Sequence, residues 1–166
     1  LGPGTTRVNL KSMIRIWKAQ VFMGLVDAYG DVPYSEAGKA VSDALFNPKY
    51  DDDATIYADL YTEIKAAIAA LNPGADYVSA DLFYGANASA STKTTTAAAQ
   101  VDKWKKLGNS LLLRLGMRYS KLNPGKAQTI VAEAFAGGVM TSNADNAFVK
   151  NDGTLYTQAD NLVLRN

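Results

Sequence analysis

The 166-residue chain contains no cysteine and no histidine. The first absence excludes disulfides and thiolate metal sites. The second removes the commonest general base and the commonest neutral metal ligand, so neither serine–histidine nor cysteine–histidine catalysis can be built from these residues. Continuous apolar runs are short, far below the roughly 18 residues that a membrane-crossing helix needs. The opening, LGPGTTRVNL, carries no basic start, apolar segment and cleavage site. It also lacks an initiating Met, and we therefore expect a fragment of a longer, mature protein.

What is present is ordinary for a globular protein: 48% hydrophobic residues, 20% charged, and a net charge of +1. The charge is patchy. Residues 1–30 sum to +3, residues 31–100 to −6 and residues 101–166 to +4. Alternating patches of this kind argue against a dedicated nucleic-acid surface.

Hydrophobic periodicity predicts four helices, at about residues 9–29, 53–71, 102–122 and 124–136. In the first, Ile14, Trp17, Val21 and Leu25 repeat at helical spacing, and Met13, Ile16 and Met23 widen the apolar surface. Gly30 and Pro33 end it. In the second, one of Asp51, Asp52 and Asp53 caps the start, and Tyr57, Leu60, Ile64, Ile68 and Leu71 form the stripe, which NPG at 72–74 terminates. The third places Trp104, Leu107, Leu111, Leu115 and Tyr119 on one side, and Leu111–Leu113 broaden the arc enough to suggest packing between neighbours. The fourth has Asn123 as cap and Pro124 at the first helical position, with Ile130, Val131, Ala134 and Phe135 facing inward and Gly137–Gly138 as its stop. Residues 75–100 are small, polar and of low complexity, and read as a long, mobile surface loop whose alanines can extend the third helix backwards. A short strand is expected at residues 147–150. These elements form an all-α, mainly helical fold: two helix pairs, first with second and third with fourth, in a helical-repeat arrangement with long loops.

Five blocks, in order, resemble the SusD/RagB family of outer-membrane nutrient-binding lipoproteins of Bacteroidetes, and its SusD-like branch most closely. They are LVDAYGDVPYSEA, NPKYDDDATIYADLYTEIKAAIAAL, DLFYG, KWKKLGNSLLLRLGMRYSKLNP and AEAFAGGVMTSNADNAFV. The block from Lys103 to Ser120 is the most specific. The resemblance implies tetratricopeptide-like helix pairs beneath a loop-rich binding region, with residues 1–166 forming an internal segment of one SusD-like domain. It implies a lipid anchor at the outer-membrane surface, a partner SusC-like TonB-dependent transporter, and an oligosaccharide, sometimes a peptide, as ligand. It implies no enzymatic activity and no cofactor. The chain departs from the family in length, in lacking the lipidated cysteine and signal peptide, and in an insertion at residues 86–100.

Ligand-binding candidates are Asp31, Tyr34, Tyr77, Phe83 and Tyr84, because aromatic rings on loops can stack on a pyranose and adjacent carboxylates or amides can bond its hydroxyls. The competing structural reading makes YGDVPY a helix exit with Asp31 bonding nearby N–H groups, and makes each tyrosine a pin between loop and helix. Trp17 and Trp104 are both expected in the core. Asp51–Asp53 read as caps in preference to a calcium loop. Arg114 and Arg118 are expected to pair with acids between helices. The rival functions are a peptide-binding RagB-like member, a generic helical-repeat scaffold for proteins, and, least supported, a small-molecule hydrolase. The tripeptide Asn87-Ala88-Ser89 matches a glycosylation pattern that has meaning only in a eukaryotic secretory route.

Overall fold

The computed structural model describes residues 7–149. The architecture is all-α. In chain order it comprises α1 (Val8–Tyr29), a single turn α2 (Ala40–Asp43), α3 (Asp53–Ala70), α4 (Ala97–Arg118) and α5 (Pro124–Ala136), followed by a 3-10 turn at Asn143–Asp145. The expected strand does not form at residues 147–149, and Lys150 lies outside the described residues. One isolated antiparallel bridge, Val32 to Asp51, ties the exit of α1 to the entry of α3.

Both expected pairs form. Along α1 and α3 the contacts run in opposite senses: Asn9 bonds Asn72 near one end, Arg15 pairs with Glu63 in the middle, and Tyr57 bonds Asp27 at the other. These two helices are therefore antiparallel. Asn109 meets Gly137, and Gly116 meets Ile130, so α4 and α5 are antiparallel as well. The pairs join where α3 packs on α4, with Ile68 lying against Gly108. The core is Met13, Ile16, Met23, Ile56, Leu60, Ile64, Leu111, Leu112 and Leu115, with Ile130 and Ala134 sealing the α5 side. This is the tetratricopeptide-like stacking of helix pairs.

The terminators act as their chemistry requires. The Asp52 carboxylate accepts the Thr55 N–H at 3.1 Å, and Asn123 accepts that of Lys126 at 3.0 Å ahead of Pro124. Gly30 takes φ 70° after α1 and returns its N–H to the Val26 carbonyl. The start of α1 is capped from a distance. Arg7 offers no side-chain cap, and the Asp76 carboxylate accepts the N–H groups of Asn9 and Leu10 at 2.9 and 3.2 Å.

Helix α4 begins five residues earlier than expected, at Ala97, because Thr96 caps it and Gln100 and Val101 are buried. The segment 75–96 is a packed element and not the mobile surface loop expected. Tyr84 and Thr92 are 0% exposed. The Thr94 N–H and hydroxyl both donate to the Tyr84 carbonyl, and the Gln100 amide bonds both the N–H and the C=O of Val78. Phe135, expected inward, is 71% exposed. Helix α5 packs its apolar side on α4 and meets α3 through Glu133, which bonds Tyr61 and Lys65 at the surface, so its buried residues are Ala127, Ile130 and Ala134.

Gly108 sits at the crossing of α4 over α3. A Cβ there would lie 2.7 Å from Cγ1 and 2.8 Å from Cδ1 of Ile68. Overpacking of that kind costs about 1–3 kcal/mol, while alanine regains roughly 1 kcal/mol of helix propensity. Gly108→Ala should therefore lose ~1 kcal/mol in urea unfolding. A gain in stability would show that Ile68 turns aside freely and that the close approach is not needed.

Candidate functional site

Side chains from three elements converge around Trp17. Its ring centroid is 5.0 Å from that of Phe83, which lies 5.9 Å from Trp104, and Trp104 in turn packs edge-on against Tyr84 at 6.0 Å. The inner part of this ladder is held by Asp81, whose Oδ2 accepts the Trp104 indole N–H at 2.6 Å and the Gln100 amide at 2.9 Å. Trp104 is buried, as expected. Trp17 is 47% exposed and its expected core position is corrected. The reason is that α1 is apolar on two faces. Met13, Ile16, Ala19, Met23 and Val26 are buried, whereas Ile14, Trp17, Val21 and Leu25, the stripe that the periodicity singles out, lie exposed.

Trp17 forms the wall between two depressions. One, of about 540 Å³, has Ile16, Leu107 and Leu111 as its floor and Gln20, Arg114, Asn146 and Phe148 around its rim. The other, of about 330 Å³, is more apolar and is lined by Met13, Ile14, Val78, Leu82, Phe83 and Trp104. A third, polar cleft of about 470 Å³ lies at the α1–α3 corner between Lys18, Tyr34, Ser35, Asp51, Asp59 and Glu63. Aromatic faces edged by amides, carboxylates and guanidinium groups suit a ligand with flat apolar faces and many hydroxyls.

The sequence candidates are not brought together in one place. Tyr34 lines the polar cleft. Its hydroxyl donates to Asp59 at 2.5 Å, its ring packs edge-on against Phe22, and the Lys18 ammonium lies 5.1 Å from the ring centre. Burial first, and then the Asp59 carboxylate, push the phenol well above its ordinary pKa. Asp31 is exposed and accepts the Asp53 N–H at 3.0 Å. With Asp52 and Asp53 it forms an exposed carboxylate cluster that serves the start of α3. Tyr77 is half-buried and pinned by its hydroxyl to the Thr94 carbonyl at 2.6 Å. Phe83 is half-buried at the edge of the apolar depression. Tyr84, expected on an exposed loop, is fully buried, and its hydroxyl donates to the Asp145 carbonyl at 2.8 Å. It has no ring face open to a ligand.

Sequence reasoning missed Gln20 and Asn146 and assigned Arg114 to an ion pair. Gln20 follows Trp17 by three residues, so helical spacing alone places it on the same face. Asn146 and Arg114 carry no such signal, since only the packing of α1 beside α4 brings them to Trp17. Arg114 donates to Gln20 Oε1 at 3.4 Å and has no carboxylate within ion-pair distance among the described residues. Arg118 behaves as expected and pairs with Asp27, which also accepts the Tyr57 hydroxyl.

These ion pairs make stability depend on pH. Hydrogen bonds from Arg118, and then from Tyr57, hold Asp27 below the usual carboxylate range, and Arg15 does the same for Glu63. Both folded pKa values lie below the unfolded values of 3.8 and 4.5. The stabilisation is therefore complete above those values and is lost as pH falls through the lower folded ones. The thermal midpoint should drop steadily on acidification below about pH 4.5. The double variant Asp27→Asn/Glu63→Gln should flatten that drop, and an unchanged slope would remove these two pairs from the account.

Comparison with known proteins agrees with this architecture. Residues 3–162 match the SusD-like family described as "Starch-binding associating with outer membrane". A solved chitin-binding protein is 35% identical over 88% of this chain and 28% of its own, with a TM-score of 0.71. A SusD-like protein from Bacteroidetes is 32% identical over 89% of this chain and 24% of its own, with a TM-score of 0.71. A SusD homologue from Bacteroides uniformis is 32% identical over 86% and 27%, with a TM-score of 0.69. The chain thus spans about a quarter of the length of these structures. A comparison with curated proteins finds no match. By its profile match and its fold, the chain belongs to the SusD-like family of starch-binding, outer-membrane-associated proteins.

Proposed function

We propose that this chain is an internal segment of a non-catalytic, lipid-anchored cell-surface protein that captures oligosaccharides and delivers them to a SusC-like TonB-dependent transporter. The observation that carries this reading is the 35% identity to a chitin-binding protein across 88% of the chain, within a family described as starch-binding. In this reading the helix pairs are braces, and ligand contact falls to the surfaces they fix. Tyr34 and Asp31 serve at the α1–α3 corner and Phe83 beside Trp17. Tyr77 and Tyr84 hold the intervening segment in place. Capture needs only modest affinity, because sugar hydroxyls exchange water for protein partners at little net gain.

Calorimetry with malto- and chito-oligosaccharides, set against peptides of matched length, tests this. Binding of at least one oligosaccharide series is expected. Heat from the peptides alone would favour a RagB-like peptide carrier. Binding of neither, with a β-barrel partner still co-purifying, would reduce the chain to a protein-docking scaffold.

A further inference from the structure

The 540 Å³ depression beside Trp17 has a chemical bias that the general glycan-binding reading leaves unstated. Its floor is apolar, its wall is a half-exposed indole, and its rim carries two neutral amides, Gln20 and Asn146, and one cation, Arg114. Among the described residues no carboxylate lines it. Arg15 and Arg118 are each occupied by an acid at hydrogen-bond distance. Arg114 has only the long 3.4 Å contact to the Gln20 oxygen, which leaves most of its N–H groups free among the described residues. Asp27, an acid that feels the Arg114 charge, is already bonded by two nitrogens of Arg118 and by Tyr57. A planar fork of donors, beside an aromatic face and over an apolar floor, is the arrangement that binds a carboxylate attached to a ring.

We infer that this cleft binds a sugar unit bearing a carboxylate, a uronic acid. Arg114 takes the carboxylate, the Trp17 ring takes a face of the pyranose, and Gln20 and Asn146 take hydroxyls. The inference rests on the glycan-binding reading above and narrows it to an acidic residue at this one subsite. A peptide C-terminus would offer Arg114 the same group. It is disfavoured because the cleft walls are helix and turn, with no sheet edge among the described residues to pair with a peptide backbone.

The test is calorimetry with trigalacturonate and with its methyl-esterified form, which share a skeleton and differ in charge. The free acid should bind at least ~10-fold more tightly than the ester, the range set by a charge-assisted hydrogen bond. Arg114→Met should abolish that preference, the acid then binding no more tightly than the ester in the same variant, and Arg114→Lys should keep part of it. Trp17→Ala should weaken acid and ester alike, with the unfolding midpoint of each variant measured to confirm a folded protein. Equal affinity for acid and ester overturns the inference, as does a preference that survives Arg114→Met. A tetrapeptide with a free C-terminus that binds where the uronate does not would also overturn it. If malto- or chito-oligosaccharides bind but neither galacturonate form does, this subsite assignment fails and the glycan-binding reading stands. If no oligosaccharide of any kind binds, both fail.

Discussion

Asp81→Ala should destabilise the protein by about 2–4 kcal/mol, because it strips a charged acceptor from several buried neutral donors. Asp81 is buried beneath the aromatic ladder, and three donors depend on it: the Trp104 indole N–H at 2.6 Å, the Gln100 amide at 2.9 Å and the Phe83 backbone N–H at 2.9 Å. Truncation leaves all three inside the protein without an acceptor, and each unmet donor costs about 1–3 kcal/mol. The effect should spread. Gln100 also holds both polar groups of the Val78 peptide, so the segment 78–94 loosens with it. Asp81→Asn should recover roughly half of the loss, because one oxygen can still serve Trp104 and Gln100 while the new amide faces the Phe83 N–H. Urea unfolding, with the near-ultraviolet signal of the tryptophans as a local probe, measures both variants. A loss under about 1 kcal/mol for Asp81→Ala would mean that water replaces the carboxylate and that the segment is not anchored there.

Asn9→Ala is expected to cost about 2–4 kcal/mol. Asn9 is 0% exposed, yet its side chain works wholly on backbone. Its amide donates to the carbonyls of Asn72 and Asp76 at 2.9 and 2.8 Å, and its oxygen accepts the Asn72 N–H at 2.8 Å. It thereby fixes the turn after α3 against the first turn of α1, and it positions Asp76 to cap α1 in return. The substitution removes the three side-chain bonds and leaves the Asp76 cap without its brace. Unfolding midpoints and amide hydrogen exchange over residues 72–78 would report it. Unchanged exchange at Asn72 would show that the turn holds itself through the Asn72 Oδ1 bond to Gly74.

The helices and their ends were legible because their causes are local. Asp52 and Asn123 are caps by residue type and position, Pro124 suits a first turn, and Gly30 permits a positive φ. The antiparallel α4–α5 pair follows from the short turn between them. The pairing of Arg118 with an acid on another helix was also readable, although its partner Asp27 was not. Much of the candidate site was not legible. Tyr84 and Tyr77 looked like loop aromatics because residues 75–100 are small and polar, a composition that packed turns and free loops share. Their burial depends on backbone carbonyls of Thr94 and Asp145 that only the folded chain delivers.

Taken alone, the amino-acid sequence determined which stretches are helical, where most of them stop, which of them pair, and the family to which the order of motifs belongs. Those properties depend on neighbours three or four residues apart and on turn chemistry, and both are written locally. Tertiary structure alone decided which face of α1 is buried, that Trp17 is an exposed wall while Trp104 is core, and that Arg114 and Asn146 meet at that wall. A helix apolar on two sides carries no local mark of which side faces its partner. The choice rests on the summed packing against α3 and α4, and it settles only when those surfaces are in contact.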